Sequence, residues 1–222
     1  MGTYTIAYLA YALGQAAIAV WAFTLWRKEK AAWVVALLLP PATVVYDNLA
    51  IALGSYVGFG PTLEALTVPR FAGHALFTPI WIVAAVGLAI KAGGFRGRER
   101  LFTIGSWALY GAMVIIGLVN EVISFVGEPV VEGDVIYYTN VGRVFTPPPP
   151  SLTMLVVVLV CGAVVMWRTR ARWPWMLLGS LAVLASQAVR ADEAAFVVLN
   201  SAEVAMSASL VATLAYLRRR EP

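Results

Sequence analysis

One cysteine, Cys161, and one histidine, His74, occur in the whole chain, and each scarcity removes a class of chemistry. A lone cysteine forbids an intramolecular disulfide, and its place in the middle of an apolar run does not suit a reactive thiolate. A lone histidine falls short of the several needed around zinc in metallohydrolases of the ceramidase type. Neither a Gly-rich phosphate loop nor a redox-cofactor motif is present. Serine hydrolysis lacks a nucleophile elbow and a Ser/His pairing at depth. No lysine lies in residues 196–217, which excludes a retinal Schiff base in the last apolar segment. No internal repeat marks the inverted halves of many secondary transporters. The composition therefore implies no cofactor and no metal.

Charge is also sparse, at 13% of residues against about 25% in soluble domains, while 61% are hydrophobic. This describes a polytopic membrane protein with little chain left for a soluble domain, so residues 1–222 read as one transmembrane unit. Seven apolar segments approach the ~20 residues needed to cross hydrocarbon: 4–26, 32–56, 73–92, 101–126, 151–168, 173–190 and 196–217. The expected fold is an all-α, seven-helix transmembrane bundle. Basic residues gather at alternate ends: Arg27, Lys28 and Lys30; Lys91, Arg96, Arg98 and Arg100; Arg168, Arg170 and Arg172; Arg218, Arg219 and Arg220. By the positive-inside rule these ends are cytoplasmic, with the N-terminus out and the C-terminus in. The formal charge of +4 is thus topological, and no nucleic acid is indicated. The first segment begins almost at residue 1 without a basic leader or a small-residue cleavage site, so it reads as a retained span. A bacterial cytoplasmic membrane is the expected location, with membrane lipids as surroundings and the oligomeric state open.

Two of the outer connections are the elaborated ones. Pro61 to Thr67 is predicted to form one or two interfacial turns after Gly58 and Gly60 break the preceding helix. Val130 to Tyr138 alternates around Glu132-Gly133-Asp134, the pattern of a small hairpin, and Pro147 to Pro150 give a stiff entry to the next span. A lid over the outer mouth and a solvated loop both fit this segment. Pro40-Pro41 should kink the second span.

Against this apolar background the buried ionisable residues stand out. An intramembrane charge costs roughly 2.5–3.5 kcal/mol even on the lenient insertion scale. Asp47, Glu121 and Glu203 nevertheless lie about 9–13 Å below the outer ends of their spans, at one depth. Each has a carboxamide nearby: Asn48, Asn120 and Asn200. Interhelical hydrogen bonding at about 0.6 kcal/mol per contact is the plain alternative. His74 stands just above the acids within Arg70-Phe-Ala-Gly-His74-Ala-Leu-Phe-Thr-Pro79. Arg190 belongs to a short outer turn with Asp192 and Glu193 and offers a counter-ion. Aromatic residues share the zone: Tyr46, Phe77, Trp81, Trp107, Tyr110, Phe125 and Phe196, with Tyr56, Tyr137 and Tyr138 nearer the rim. Interface belts account for many of them. Acids combined with π-faces suit a cationic intermediate, because ring quadrupoles stabilise positive charge without attacking it.

A carboxylic acid kept neutral in hydrocarbon can protonate an alkene or epoxide, while a second carboxylate or water receives the resulting carbocation's proton or charge. The size, the seven spans, and one acid in span 2 with another in span 7 resemble the small integral-membrane terpene cyclases of fungal meroterpenoid and bacterial indole-sesquiterpenoid pathways. The fungal branch carries Glu early and Asp late, whereas this chain has Asp47 early and Glu203 late; Tyr46-Asp47-Asn48 and Arg70 to Pro79 look closer to the bacterial branch. The resemblance implies a lipophilic isoprenoid substrate, acid/base roles for Asp47 and Glu203, and support from Glu121 and His74. Two other readings remain open. One is a transporter or channel for H⁺, Na⁺ or Ca²⁺, for which carboxylates and Asn carbonyls are suitable ligands; the inner half, with Met113, Val114, Ile115, Leu210 and Val211, continues no polar path. The other is a vinyl-ether lipid hydrolase, which also starts by protonating a carbon–carbon double bond.

Overall fold

The computed structural model describes residues 2–187 and 195–220, and of residues 195–197 the backbone alone. In chain order these form α1 (Thr3–Glu29), α2 (Ala32–Val35), α3 (Leu39–Val57), α4 (Pro61–Phe77), α5 (Trp81–Lys91), α6 (Glu99–Leu118), a π-helical turn (Val119–Ile123), β1 (Gly127–Glu132), β2 (Val135–Asn140), α7 (Pro149–Arg168), α8 (Trp175–Ser186) and α9 (Ala195–Arg218). The protein is mostly helical, and six stretches among the described residues have the length and apolar composition to cross a membrane: Thr3–Glu29, Ala32–Val57, Pro61–Lys91, Glu99–Ile123, Pro149–Arg168 and Val198–Arg218. The apolar segment expected at 173–190 is represented by α8, whose 12 residues reach about 18 Å against a hydrocarbon thickness of ~30 Å. Residues 188–190 of that segment lie outside the described residues.

Prolines set the helix breaks. Pro40 and Pro41 occupy the first turn of α3, where their missing N–H groups cost nothing. The chain between α2 and α3 tightens into three-residue turns, Leu37 N to Val34 O at 3.0 Å and Leu38 N to Val35 O at 2.9 Å. The second span is thus interrupted where a kink is expected. Pro79 acts in the same way between α4 and α5, with Ile82 N donating to Pro79 O at 3.0 Å. Residues 61–67, expected as separate interfacial turns, are instead the first turns of α4. Pro61 sits at the N-terminus of that helix, and it runs through Pro69 to Phe77 before breaking.

The main core surrounds α5, whose residues from Trp81 to Val86 are all buried against α7, α8, α9 and the lower half of α1. Glu29 ties one end of the bundle together: its carboxylate lies 2.6 Å from Lys91 Nζ and 3.3 Å from Arg218 Nε. The opposite end carries the hairpin. β1 and β2 pair antiparallel from Gly127↔Asn140 to Glu132↔Val135, with Gly133 at φ 57° in the turn, a conformation glycine adopts without steric cost.

This hairpin is docked on α1 and α3 rather than free in solvent. Asp134 accepts hydrogen bonds from Tyr4 N at 2.8 Å, Thr5 N at 3.2 Å and Thr5 Oγ1 at 2.5 Å, capping the start of α1, which has no side-chain cap of its own. Val135 and Tyr137 pack with Tyr8, Ile51 and Ala52 in a second, smaller core. At Gly54 any Cβ would collide with the Ile136 carbonyl, so glycine permits the strand to lie directly on α3.

Candidate functional site

Four residues apart on α4, Arg70 and His74 share a helix face and bracket one carboxylate. Arg70 Nε lies 2.6 Å from Asp47 Oδ1, and His74 Nε2 lies 3.5 Å from Asp47 Oδ2. Both side chains of the Arg70–Asp47 pair are only 6% exposed, whereas His74 is 33% exposed. The imidazole is the accessible member of the cluster. His74 Nδ1 lies 3.2 Å from Thr78 Oγ1, in the turn that the Pro79 break creates. With the hydroxyl donating to Nδ1, Nε2 carries the proton toward Asp47. Gly73 brings the helices close enough for these contacts, since a Cβ there would strike the Thr43 methyl on α3, one turn before Asp47.

Glu203 on α9 interacts electrostatically with both His74 and Asp47. Among the described residues no hydrogen bond or salt bridge engages the Glu203 carboxyl.

Glu121 belongs to a different pair. Its two oxygens lie 2.8 and 2.9 Å from Arg143 Nε. The π-helical turn widens the helix so that the consecutive residues Asn120 and Glu121 are both buried. Asn120 donates to Glu121 Oε1 at 3.1 Å and accepts from Phe145 N at 2.8 Å, fixing the segment that carries Arg143. The two ion pairs meet at one ring: Arg70 and Arg143 place their guanidinium carbons 5.7 and 5.5 Å from the centre of Phe71, which also contacts Phe125 at 5.4 Å. Tyr137 from the hairpin lies 5.7 Å from Arg70 and covers it.

The aromatic residues divide. Phe125 adjoins this junction, and Phe77 is half-buried at the end of α4. Trp81 is buried in the main core. Tyr46 is turned outward, with its hydroxyl donating to Leu66 O at 2.9 Å, because consecutive helical residues diverge by about 100° and burying Asp47 exposes its neighbour. Trp107 is 39% exposed on α6, and Tyr110 donates to Leu76 O at 3.2 Å while touching Trp107 edge to face. Tyr46 thus has its contact with Leu66, Trp107 and Tyr110 have theirs with Leu76 and one another, and Tyr110 also packs against the main core. Asn200 is buried on α9 one turn from Glu203. Asn48 is fully buried, but its Nδ2 donates to Val44 O at 2.9 Å rather than to Asp47. Arg190 and the side chain of Phe196 lie outside the described residues.

Arg143 and Gln15 are absent from the set chosen by sequence reasoning. The signal for Arg143 was present: of the 16 lysines and arginines, only Arg70, Arg143 and Arg190 fall outside the clusters that alternate along the chain. Two of these three neutralise buried acids. Gln15 is fully buried on α1, and among the described residues neither its Oε1 nor its Nε2 has a hydrogen-bond partner; Asn48 Oδ1 likewise has none among them. Each such group costs about 1–3 kcal/mol when left unsatisfied. In comparisons with known proteins, the chain matches no family model, and neither a curated protein nor a solved structure matches it.

Proposed function

We propose that this protein is an integral-membrane enzyme that protonates an alkene or epoxide of an isoprenoid and cyclises it through carbocations, in the manner of a small membrane terpene cyclase. The observation that carries the reading is the unequal provision for the three acids. Asp47 and Glu121 are each committed to an arginine, whereas Glu203 faces the same cluster as His74 without a cation or hydrogen bond of its own among the described residues. Protonating a carboxylate that is paired with a buried guanidinium sacrifices the pair; a carboxyl with no such partner is more cheaply kept as the neutral acid.

Glu203 is accordingly the proton donor. Its O–H bond breaks as the substrate's π pair forms a C–H bond, or as an epoxide C–O bond opens to an alcohol. The cation travels as further π pairs close rings, and the Asp47–His74 pair removes the terminal proton to leave an alkene. His74, as the accessible member, returns the proton to Glu203 by exchange. Phe71 and Tyr137, already stacked on Arg70, supply the π-faces beside the cluster. Glu121 and Arg143 hold the segment after the hairpin and act on structure rather than on the substrate.

The topology belongs to the same proposal. Seven spans put the hairpin and the acids toward the outer face of a bacterial cytoplasmic membrane, with a neutral prenylated substrate entering laterally from lipid. Incubating purified protein with a farnesylated indole and with its terminal epoxide tests the reading. Cyclised product, formed equally with and without EDTA, supports it; recovery of both substrates unchanged, together with Na⁺ or H⁺ flux in liposomes that Glu203→Gln abolishes, favours a transporter.

A further inference from the structure

We infer that Gln15 is a recognition group beside the acid cluster and receives a hydroxyl of a lipophilic alcohol. The inference rests on the isoprenoid reading for the carbon skeleton, but its observation is separate: a carboxamide at 0% exposure whose donor and acceptor both lack a partner among the described residues.

The placement follows from three contacts. Tyr11 and Ser201 hydroxyls lie 2.8 Å apart, which sets the register of α1 against α9. One turn further along α1, a Cβ at Gly14 would lie 3.6 Å from the side chain of Val204, the residue after Glu203. Gln15 therefore sits at the level of the proposed proton donor. On the other side α1 packs along α3, where Tyr8 shares a small core with Ile51 and Ala52, and Asn48 lies one turn below Ile51 beside Asp47. Gln15 and Asn48 thus belong to the helices that flank the acid cluster.

The chemistry of the open atoms selects the ligand group. A primary carboxamide with both ends free is matched by a group that donates once and accepts once. A hydroxyl does so; a carboxylate, ketone or ether cannot donate, and an ammonium cannot accept. A site built to hydrogen-bond a hydroxyl discriminates against the analogue that lacks it, because its own buried polar atoms are then left unpaired.

All-trans-farnesol and β-farnesene, which share a chain length and differ in the hydroxyl, are the probes, with affinity measured for the purified full chain in detergent by tryptophan fluorescence. Farnesol is expected to bind about tenfold more tightly than farnesene, the effect of one net hydrogen bond. In Gln15→Leu the preference falls to about onefold and the ligand-free protein melts higher, since the unpaired amide is gone. Gln15→Met gives the same readout if the leucine variant does not fold. Equal affinities in the wild type, showing that the amide holds water only, or an unchanged preference in both variants overturns the inference. Binding with the Gln15-dependent preference but no cyclised product under any condition leaves this site standing and removes the cyclase reading. Cyclisation without the preference does the reverse.

Discussion

Arg70 and Asp47 form a buried ion pair, 2.6 Å from Nε to Oδ1, between two helices in contact at Gly73, where a Cβ would meet the Thr43 methyl. Removing one partner leaves the other uncompensated. Arg70→Met should therefore destabilise the protein by about 3–5 kcal/mol, and Asp47→Leu combined with Arg70→Met should restore most of that loss. Thermal denaturation in detergent of the two single variants and the double variant measures the cycle. A double variant as unstable as the sum of the singles would contradict the pairing.

Glu203 and Glu121, equal at the level of sequence, separate in their expected behaviour. Glu203→Gln is isosteric and disturbs no hydrogen bond among the described residues, so its melting temperature should stay near wild type while turnover falls by about 10²–10⁴-fold, the usual contribution of a general acid. Glu121→Gln removes the charge and one of the two acceptors that share Arg143 Nε–H and should lower the melting temperature, with a smaller loss of turnover. Parallel melting curves and product yields distinguish the two.

The cap that the hairpin places on α1 should open in acid. The Thr5 hydroxyl, with the backbone N–H groups of Tyr4 and Thr5, holds the Asp134 carboxyl below the usual carboxylate range. The folded form therefore binds this proton less readily than the unfolded chain. Its contribution is fully present above the ordinary value and disappears as pH falls through the lowered one. Glu132 has the opposite sign: burial pushes it up against the lowering hydrogen bonds of Tyr137 and Tyr8, so its ionisation costs stability as pH rises through the raised value. The protection factors of the amides of residues 4–5 should fall as pH drops below ~4, the ordinary range of the carboxylate, toward the lowered value in the wild type. In Asp134→Asn the acid-dependent step should be missing.

Much of the architecture was legible in the chain because it depends on local signals. Hydropathy marked the spans, Pro40-Pro41 marked the break in the second, and alternation around Glu132-Gly133-Asp134 marked the hairpin. What escaped depends on pairing at a distance. Arg143 reaches Glu121 across 22 positions, and Asp134 reaches Thr5 across 129. The outward turn of Tyr46 depends on helix geometry: adjacency in sequence to Asp47 does not make two helical residues share a face. Gln15 carried no signal at all, because a glutamine in an apolar helix is conspicuous only once its surroundings prove to offer it no partner.

Proton delivery to carbon is the central claim, and turnover in D2O tests it most directly. With a farnesylated indole as substrate, the account predicts a cyclised product carrying one carbon-bound deuterium from solvent, formed by the wild type and lost in Glu203→Gln. A cyclised product without carbon-bound deuterium, or one formed undiminished by Glu203→Gln, would contradict it.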